Sequence, residues 1–366
     1  MERVKLGDLF DIGSSKRILQ SDWRKEGIPF YRAREIVALS LYGYVENDLY
    51  IEESLYEEYT SRYGKPESGD IMVTGVGTIG ICYIVRPNDR FYYKDASILC
   101  FHQKHPELVF SEYVAMAFKT PLIKEQLDKN SSGSTVATLT IQTANKLEIK
   151  LPSVEEQKII VSNLKKIETI IELRNRELNR FDDLIKARFV ELFEDGESPI
   201  KTVAELCSDI VDCPHTTPKY TGELKNPAIR TSEIKKGYIT WDSMRYVSDE
   251  EYEERVSRLR PEAGDIVYGR EGTFGNAAVL PKGYKFCLGQ RVMLLRPDYE
   301  KCTSEYLLHA VISDDVYRQA VGKNNASTVA HVNVKDVKQF KIPLPSFDKQ
   351  NQFAEFVKQV DKSKVA

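Results

Sequence analysis

Apolar residues at Ile160, Leu164, Ile167, Ile171, Leu178, Phe181, Ile185 and Leu192 recur at steps of three and four between Pro152 and Asp195. That heptad spacing predicts one long coiled-coil helix. Neither Gly nor Pro interrupts it after Pro152, and at 1.5 Å rise per residue it would run about 60 Å. Ser153, with Glu156 three positions on, reads as a capping box. Gly196-Glu197-Ser198-Pro199 breaks the pattern. A packed core helix competes with a spacer rod for this stretch. The rod is favoured because related sequence lies on both sides of it.

Laid on itself at an offset of about 195 residues, the chain repeats. Arg32-Ala33-Arg34-Glu35-Ile36 answers Arg230-Thr231-Ser232-Glu233-Ile234. Gly69-Asp70-Ile71 answers Gly264-Asp265-Ile266, and Gly77-Thr78-Ile79-Gly80 answers Gly272-Thr273-Phe274-Gly275. Ser111-Glu112-Tyr113, Ser134-Thr135-Val136-Ala137, Leu151-Pro152-Ser153 and Gln157 return in order as Ser304-Glu305-Tyr306, Ser327-Thr328-Val329-Ala330, Leu344-Pro345-Ser346 and Gln350. Conserved order marks a duplication: domain, helix, domain, helix. The predicted boundaries are 1–151, 152–196, 197–344 and 345–366.

Each copy mixes periods. Gly69 to Thr74 reads as turn then strand, and Ile79 to Arg86 as a returning strand. Ser111 to Asp128 reads helical, with Val114, Ala117, Phe118, Leu122 and Leu127 apolar. Thr138 to Leu151 reads as a turn, a short helix or loop, and a strand. The fold class is therefore α+β, two similar domains joined by long coiled-coil helices. A second helix starts at Ser346, and its seam of Phe353, Val357 and Val360 aligns with Ile160, Leu164 and Ile167.

Composition changes little in this picture. The chain has 366 residues, 42% hydrophobic and 29% charged, with a net charge of -3, which suits about two globular domains. That balance argues against a strongly cationic nucleic-acid coat and leaves room for local basic faces. No run approaches ~18 apolar residues, so no membrane span is expected, and the N-terminus lacks a signal-peptide core. The six cysteines have no framework spacing, so an intracellular, reduced, cytoplasmic protein is expected.

Several strings carry candidate chemistry. Gly75-Val76-Gly77-Thr78-Ile79-Gly80 spells a dinucleotide loop, but the β-branched run after it reads as strand, and Arg270 replaces the first glycine in the other copy. A glycine-rich hairpin tip fits better, either purely structural or presenting Thr74, Thr78, Arg270 and Thr273 to base edges or phosphates. Arg32 and Arg34 alternate along a strand-like stretch, with Arg230 and Thr231 as counterparts. They suit bidentate contact to guanine or phosphate, or else line a solvated face. Two polar loops led by lysine hold Lys129, Ser134 and Thr135, and Lys323, Asn324, Ser327 and Thr328. They read as phosphate donors or as plain connections. Cys207, Cys213 and His215 lack zinc spacing, so no metal is expected. Glu156-Gln157-Lys158 lies at a helix start without a preceding acidic strand and reads as capping. No catalytic constellation is duplicated.

This pattern resembles the specificity subunit of type I restriction-modification systems across nearly the whole chain. The carriers are Gly69-Asp70-Ile71 with Thr78 and Gly80, Ile141 to Ile149 leading to Leu151-Pro152 and Glu156-Gln157, and the long helix, repeated from Gly264 to Gln350. The resemblance implies two target recognition domains, each reading one half of a split double-stranded DNA site. It implies antiparallel spacer helices with pseudo-twofold symmetry, docking two modification subunits that bind S-adenosylmethionine and methylate adenine. It further implies ATP-dependent motor-nuclease subunits, with neither catalysis nor cofactor in this chain.

In that arrangement Ala366 lies near Arg174, and the seam from Ile160 to Ile171 has no intramolecular partner. Each apolar side chain left exposed there forgoes ~1.5–3 kcal/mol. A second chain, a second copy or a separate helix segment is therefore expected to cover it. Differences at matched tip positions, Val76 against Glu271 and Thr74 against Gly269, predict an asymmetric site. The competing reading is a coiled-coil adaptor whose duplicated domains bind protein or carbohydrate. An enzyme with an unrecognised site stands third.

Overall fold

The computed structural model describes residues 3–130, 138–193, 196–272, 275–322 and 331–365. The chain forms two compact units, Met1–Glu172 and Leu173–Ala366. They divide inside the long helix, Val154–Phe193, rather than at either of its ends.

Each unit is built on a four-stranded antiparallel sheet of the same topology. In the first unit the order is Phe10–Gly13, Ile98–Gln103, Ile71–Thr74, Cys82–Ile84. In the second it is Cys207–Asp212, Val292–Pro297, Ile266–Gly269, Ala277–Val279. The strands Ile71–Thr74 and Ile266–Gly269 are buried at every position, as strands covered on both faces must be, which explains their unbroken apolar run. A smaller sheet accompanies each: Tyr50–Ile51, Ile28–Tyr31 and Tyr92–Tyr93 in the first, with a four-stranded equivalent around Asn226–Ile229 in the second. The two ends of each copy are tied by a strand pair, Arg3–Lys5 with Glu148–Lys150 and Ile200–Thr202 with Lys341–Pro343.

Two local readings are corrected. Ser111 to Asp128 is not one helix but two, Ser111–Ala117 and Pro121–Asn130. Pro121 has no N–H to continue the first helix and starts the second. Arg34 does not lie on a strand. The strand ends at Tyr31, Arg32 is the N-cap, and Ala33–Tyr42 is helical.

Ser153 and Glu156 form the capping box at the start of the long helix, with the Ser153 N–H donating to Glu156 Oε2 at 2.9 Å. In the second unit the C-terminal half of this helix pairs with Phe347–Val365. Ile185, Phe353, Val357 and Val360 are buried together, and Leu178 and Phe181 are half-buried. Phe189 and Phe193, outside the predicted seam, pack edge-to-face on Phe353 at 5.5 and 5.3 Å. The pair is antiparallel, since the Arg174 guanidinium donates to the Lys364 carbonyl at 2.6 Å. In the first unit Leu164, Ile167 and Ile171 are 41%, 51% and 55% exposed. Ile160 is half-buried, and Val161 takes the inward position instead. Val161 lies one turn beyond buried Gln157, so the inward face follows that residue.

Gln157 and Gln350 are both 0% exposed. The Gln157 carboxamide accepts from the Phe110 N–H at 2.8 Å and donates to the Leu108 and Pro152 carbonyls. Gln350 does the same with the Thr303 N–H and the Lys301 and Pro345 carbonyls. One buried side chain thus satisfies three backbone groups. We expect Gln157→Ala and Gln350→Ala each to cost about 1–3 kcal/mol by stranding those groups. Thermal unfolding and faster hydrogen exchange at Phe110 or Thr303, respectively, would register the loss.

Candidate nucleic-acid interface

The glycine-rich string is a hairpin tip, not a nucleotide loop, because the strand Cys82–Ile84 returns from it and no helix opens there. In the first unit Thr74 is buried, and its hydroxyl donates to the Thr78 carbonyl at 2.5 Å while accepting from the Ile81 N–H at 3.0 Å. Thr74 therefore shapes the turn and does not face solvent. Gly77 and Gly80 have φ of 71° and 79°, values that suit glycine because it has no Cβ. Gly77 and Thr78 are exposed at the apex.

Backbone bonds gather three further segments around this apex. The Gly75 N–H donates to the Ser97 carbonyl and the Leu139 N–H to the Gly75 carbonyl, both at 2.8 Å. Val76 pairs with Thr138. The Ser14 hydroxyl donates to the Ile98 carbonyl at 3.1 Å and accepts from the Ala96 N–H. The second unit repeats the frame. Arg270 N–H donates to the Arg291 carbonyl and Val332 N–H to the Arg270 carbonyl, both at 3.0 Å, and Glu271 pairs with His331.

The same frame carries different chemistry in the two units. Around the first apex stand Val76, Thr78, Ser97 and Thr138. Around the second stands a charged network. Arg270, predicted to reach a ligand, is 5% exposed and forms an ion pair with Asp212 at 2.8 Å. Glu271 bridges the Arg291 Nε at 3.0 Å and the His331 ring at 3.3 Å. Asp212 also meets His215 at 3.4 Å.

The repeated arginines are held internally. Arg32 donates to Glu35 Oε2 at 3.2 Å and Oε1 at 2.8 Å and to Asp48 at 2.5 Å; Arg34 donates to Glu35 and Asp48. Arg230 forks onto Glu233 at 3.1 and 2.5 Å and reaches the Ser243 carbonyl. Glu35 and Glu233 are buried. Burial pushes the Glu233 carboxyl up, but hydrogen bonds from Arg230, Ser232 and Ser243 outweigh it and hold it below the usual carboxylate range. Arg34 keeps more than half its side chain exposed, whereas Thr231 is half-buried in a turn. Lys129 sits exposed in the last turn of Pro121–Asn130. Ser134, Thr135, Thr273, Lys323, Asn324, Ser327 and Thr328 lie outside the described residues. Sequence reading passed over Arg291, His331 and Asp212, whose matches in the first copy are unlike them, so the repeat gave no signal there. Among the described residues no group of three His, Cys, Asp or Glu side chains is placed to hold a metal ion, and no helix is long and apolar enough to cross a membrane.

The sequence model described as the type I restriction modification DNA specificity domain matches residues 1–181 and 216–366. A putative type I restriction enzyme specificity subunit of Haemophilus influenzae is 30% identical over 168 residues, 46% of this chain and 40% of that protein. The putative MjaX specificity subunit of Methanocaldococcus jannaschii is 27% identical over 146 residues, 37% of this chain and 33% of that protein. The chain thus spans less than half the length of these curated relatives. Among solved structures, the S subunit of a type I restriction-modification system from M. genitalium aligns with a TM-score of 0.53 at 15% identity, covering 99% of this chain and 90% of that one. A chain from a study of complex assembly and conformational transition in the type I R-M system aligns at 0.58 and 16% identity, covering 100% and 90%. At such identities the likeness is one of fold.

We expect Glu233→Ala to destabilise the second unit by about 3 kcal/mol, because the Arg230 guanidinium loses its buried partner. The folded-state pKa of Glu233 lies below its unfolded value, so its contribution is present above about pH 4.3 and fades as pH falls through the folded value. The stability gap between wild type and Glu233→Gln should therefore narrow on acidification, measured by denaturant unfolding between neutral pH and pH ~3.

Proposed function

This chain belongs to the type I restriction modification DNA specificity family, and we propose that each of its units reads one part of a bipartite double-stranded DNA site. The carrying observation is a duplicated hairpin-tip frame with hydroxyl and apolar groups in one copy and an ionic network in the other. Equal frames put two readers to the same use, and unequal tips let them read different bases, so the site is asymmetric. Base edges specify and phosphates position, and a chain of net charge -3 leaves much of the phosphate affinity to partners.

In this reading the chain is a non-catalytic, cytoplasmic subunit. Two modification subunits carry S-adenosylmethionine and methylate adenine in the site, and motor-nuclease subunits use ATP for restriction. In this reading the spacing of the two half-sites follows from protein geometry, as it does for dimeric DNA binders. The exposed Leu164, Ile167 and Ile171 face is covered in the assembly by a partner chain, a second copy or a further helix segment.

Selection from random duplex DNA by the chain assembled with its modification subunit should enrich two short motifs separated by a gap of fixed length. Thr78→Val should relax one position in one motif by about 1–3 kcal/mol and leave the other motif untouched. No enrichment at all would leave the adaptor reading as the better one.

A further inference from the structure

Arg291 has three features that no other arginine at the tips combines. It is the residue directly before the strand Val292–Pro297, with φ of 64°. Among the described residues only Ala96 shares a positive φ without being glycine, and Ala96 lies at the entry to the corresponding strand, Ile98–Gln103. A side chain in that conformation is strained by about 1–2 kcal/mol, and such strain is retained where surroundings hold it. Here they do: the Arg291 carbonyl accepts from the Arg270 N–H, and the Gln290 carboxamide next door donates to Thr217 at 2.9 Å.

The second feature is exposure. The Arg291 side chain is 62% exposed, against 6% for Arg270 and 19% for Arg230. The third is how it is held. Glu271, itself 26% exposed, takes the Nε edge at 3.0 Å. Among the described residues no hydrogen bond occupies the two terminal nitrogens. A guanidinium ion-paired on its Nε side has those nitrogens left as a planar fork, the geometry that matches O6 and N7 of guanine in the major groove. A free surface arginine would lose side-chain entropy on binding, and the Glu271 clasp removes part of that loss beforehand.

We propose that Arg291 is a base-reading residue of the second unit, recognising a guanine in its half-site, with Glu271 as its positioning residue. This rests on the DNA-recognition reading above. The first unit has Ser97 before its strand and no cation there, so the guanine requirement belongs to one half-site alone.

The test compares random-DNA selection and site affinity for the full chain, assembled with its modification subunit, as wild type, Arg291→Ala, Arg291→Gly and Glu271→Gln. In Arg291→Ala, one guanine position of one motif becomes indifferent to base, affinity for the wild-type site falls about 5- to 150-fold, and the other motif is unchanged. Glu271→Gln keeps the guanine preference with reduced stringency. Arg291→Gly loses the same preference without a fall in Tm, because glycine adopts the left-handed conformation freely. If Arg291→Ala selects the wild-type motif undiminished, or weakens all sequences equally as a phosphate contact would, the assignment is overturned. A lower Tm in Arg291→Gly with an intact motif would likewise make the residue structural. A wild-type complex that enriches no motif overturns the DNA-recognition reading itself, an outcome separable from the others because it needs no variant.

Discussion

A carboxamide cut off from water joins each domain to its helix. Gln157 and Gln350 are fully buried, and each saturates one backbone N–H and two carbonyls where a domain meets the helix that follows it. Leaving such groups unpaired costs more than the net gain from an ordinary hydrogen bond, so the angle of helix to domain is set twice by the same chemistry. The inward phase of the first helix follows from it: Val161, one turn on from Gln157, is buried, while Ile160 is only half so.

The duplication separates frame from content. Residues that repeat between copies are mostly structural: Glu35 and Glu233 under their arginines, Asp70 against His102, Asp265 against Arg296, and Ser111 and Ser304 on the Gly69 and Gly264 carbonyls. Residues that differ cluster at the tips, Val76 against Glu271 and Thr138 against His331. A reader of two unlike half-sites needs this division, since a shared frame aims the tip and an unshared tip chooses the base. Repetition in such a chain points to what holds the fold, and the binding chemistry is sought where the repeat fails.

Much of this was legible in the linear pattern. The heptads gave the long helix and the capping box its start, and the glycine spacing gave a hairpin tip in place of a nucleotide loop. Period and punctuation are local properties, and local propensity and pattern agreed there. Candidate contacts were less legible. Arg32 and Arg230 look like readers until the buried carboxylate three residues on is seen to hold them, and Thr74 looks exposed until its hydroxyl is seen to close the turn. The antiparallel pairing of Phe189 and Phe193 on Phe353 extends the seam beyond the residues that spacing picked out.

By itself the sequence determined the duplication, the α+β class, the spacer helices and the family, because these rest on order and spacing along the chain. Only the tertiary structure decided which polar side chains are used up inside the protein and which remain to meet a ligand. Asp212 and Glu271 reach their arginines only through folding, and a side chain's availability depends on burial and on partners distant in sequence. Arg270 and Arg291 carry the same guanidinium. One is enclosed against Asp212 and the other stands exposed on a left-handed backbone.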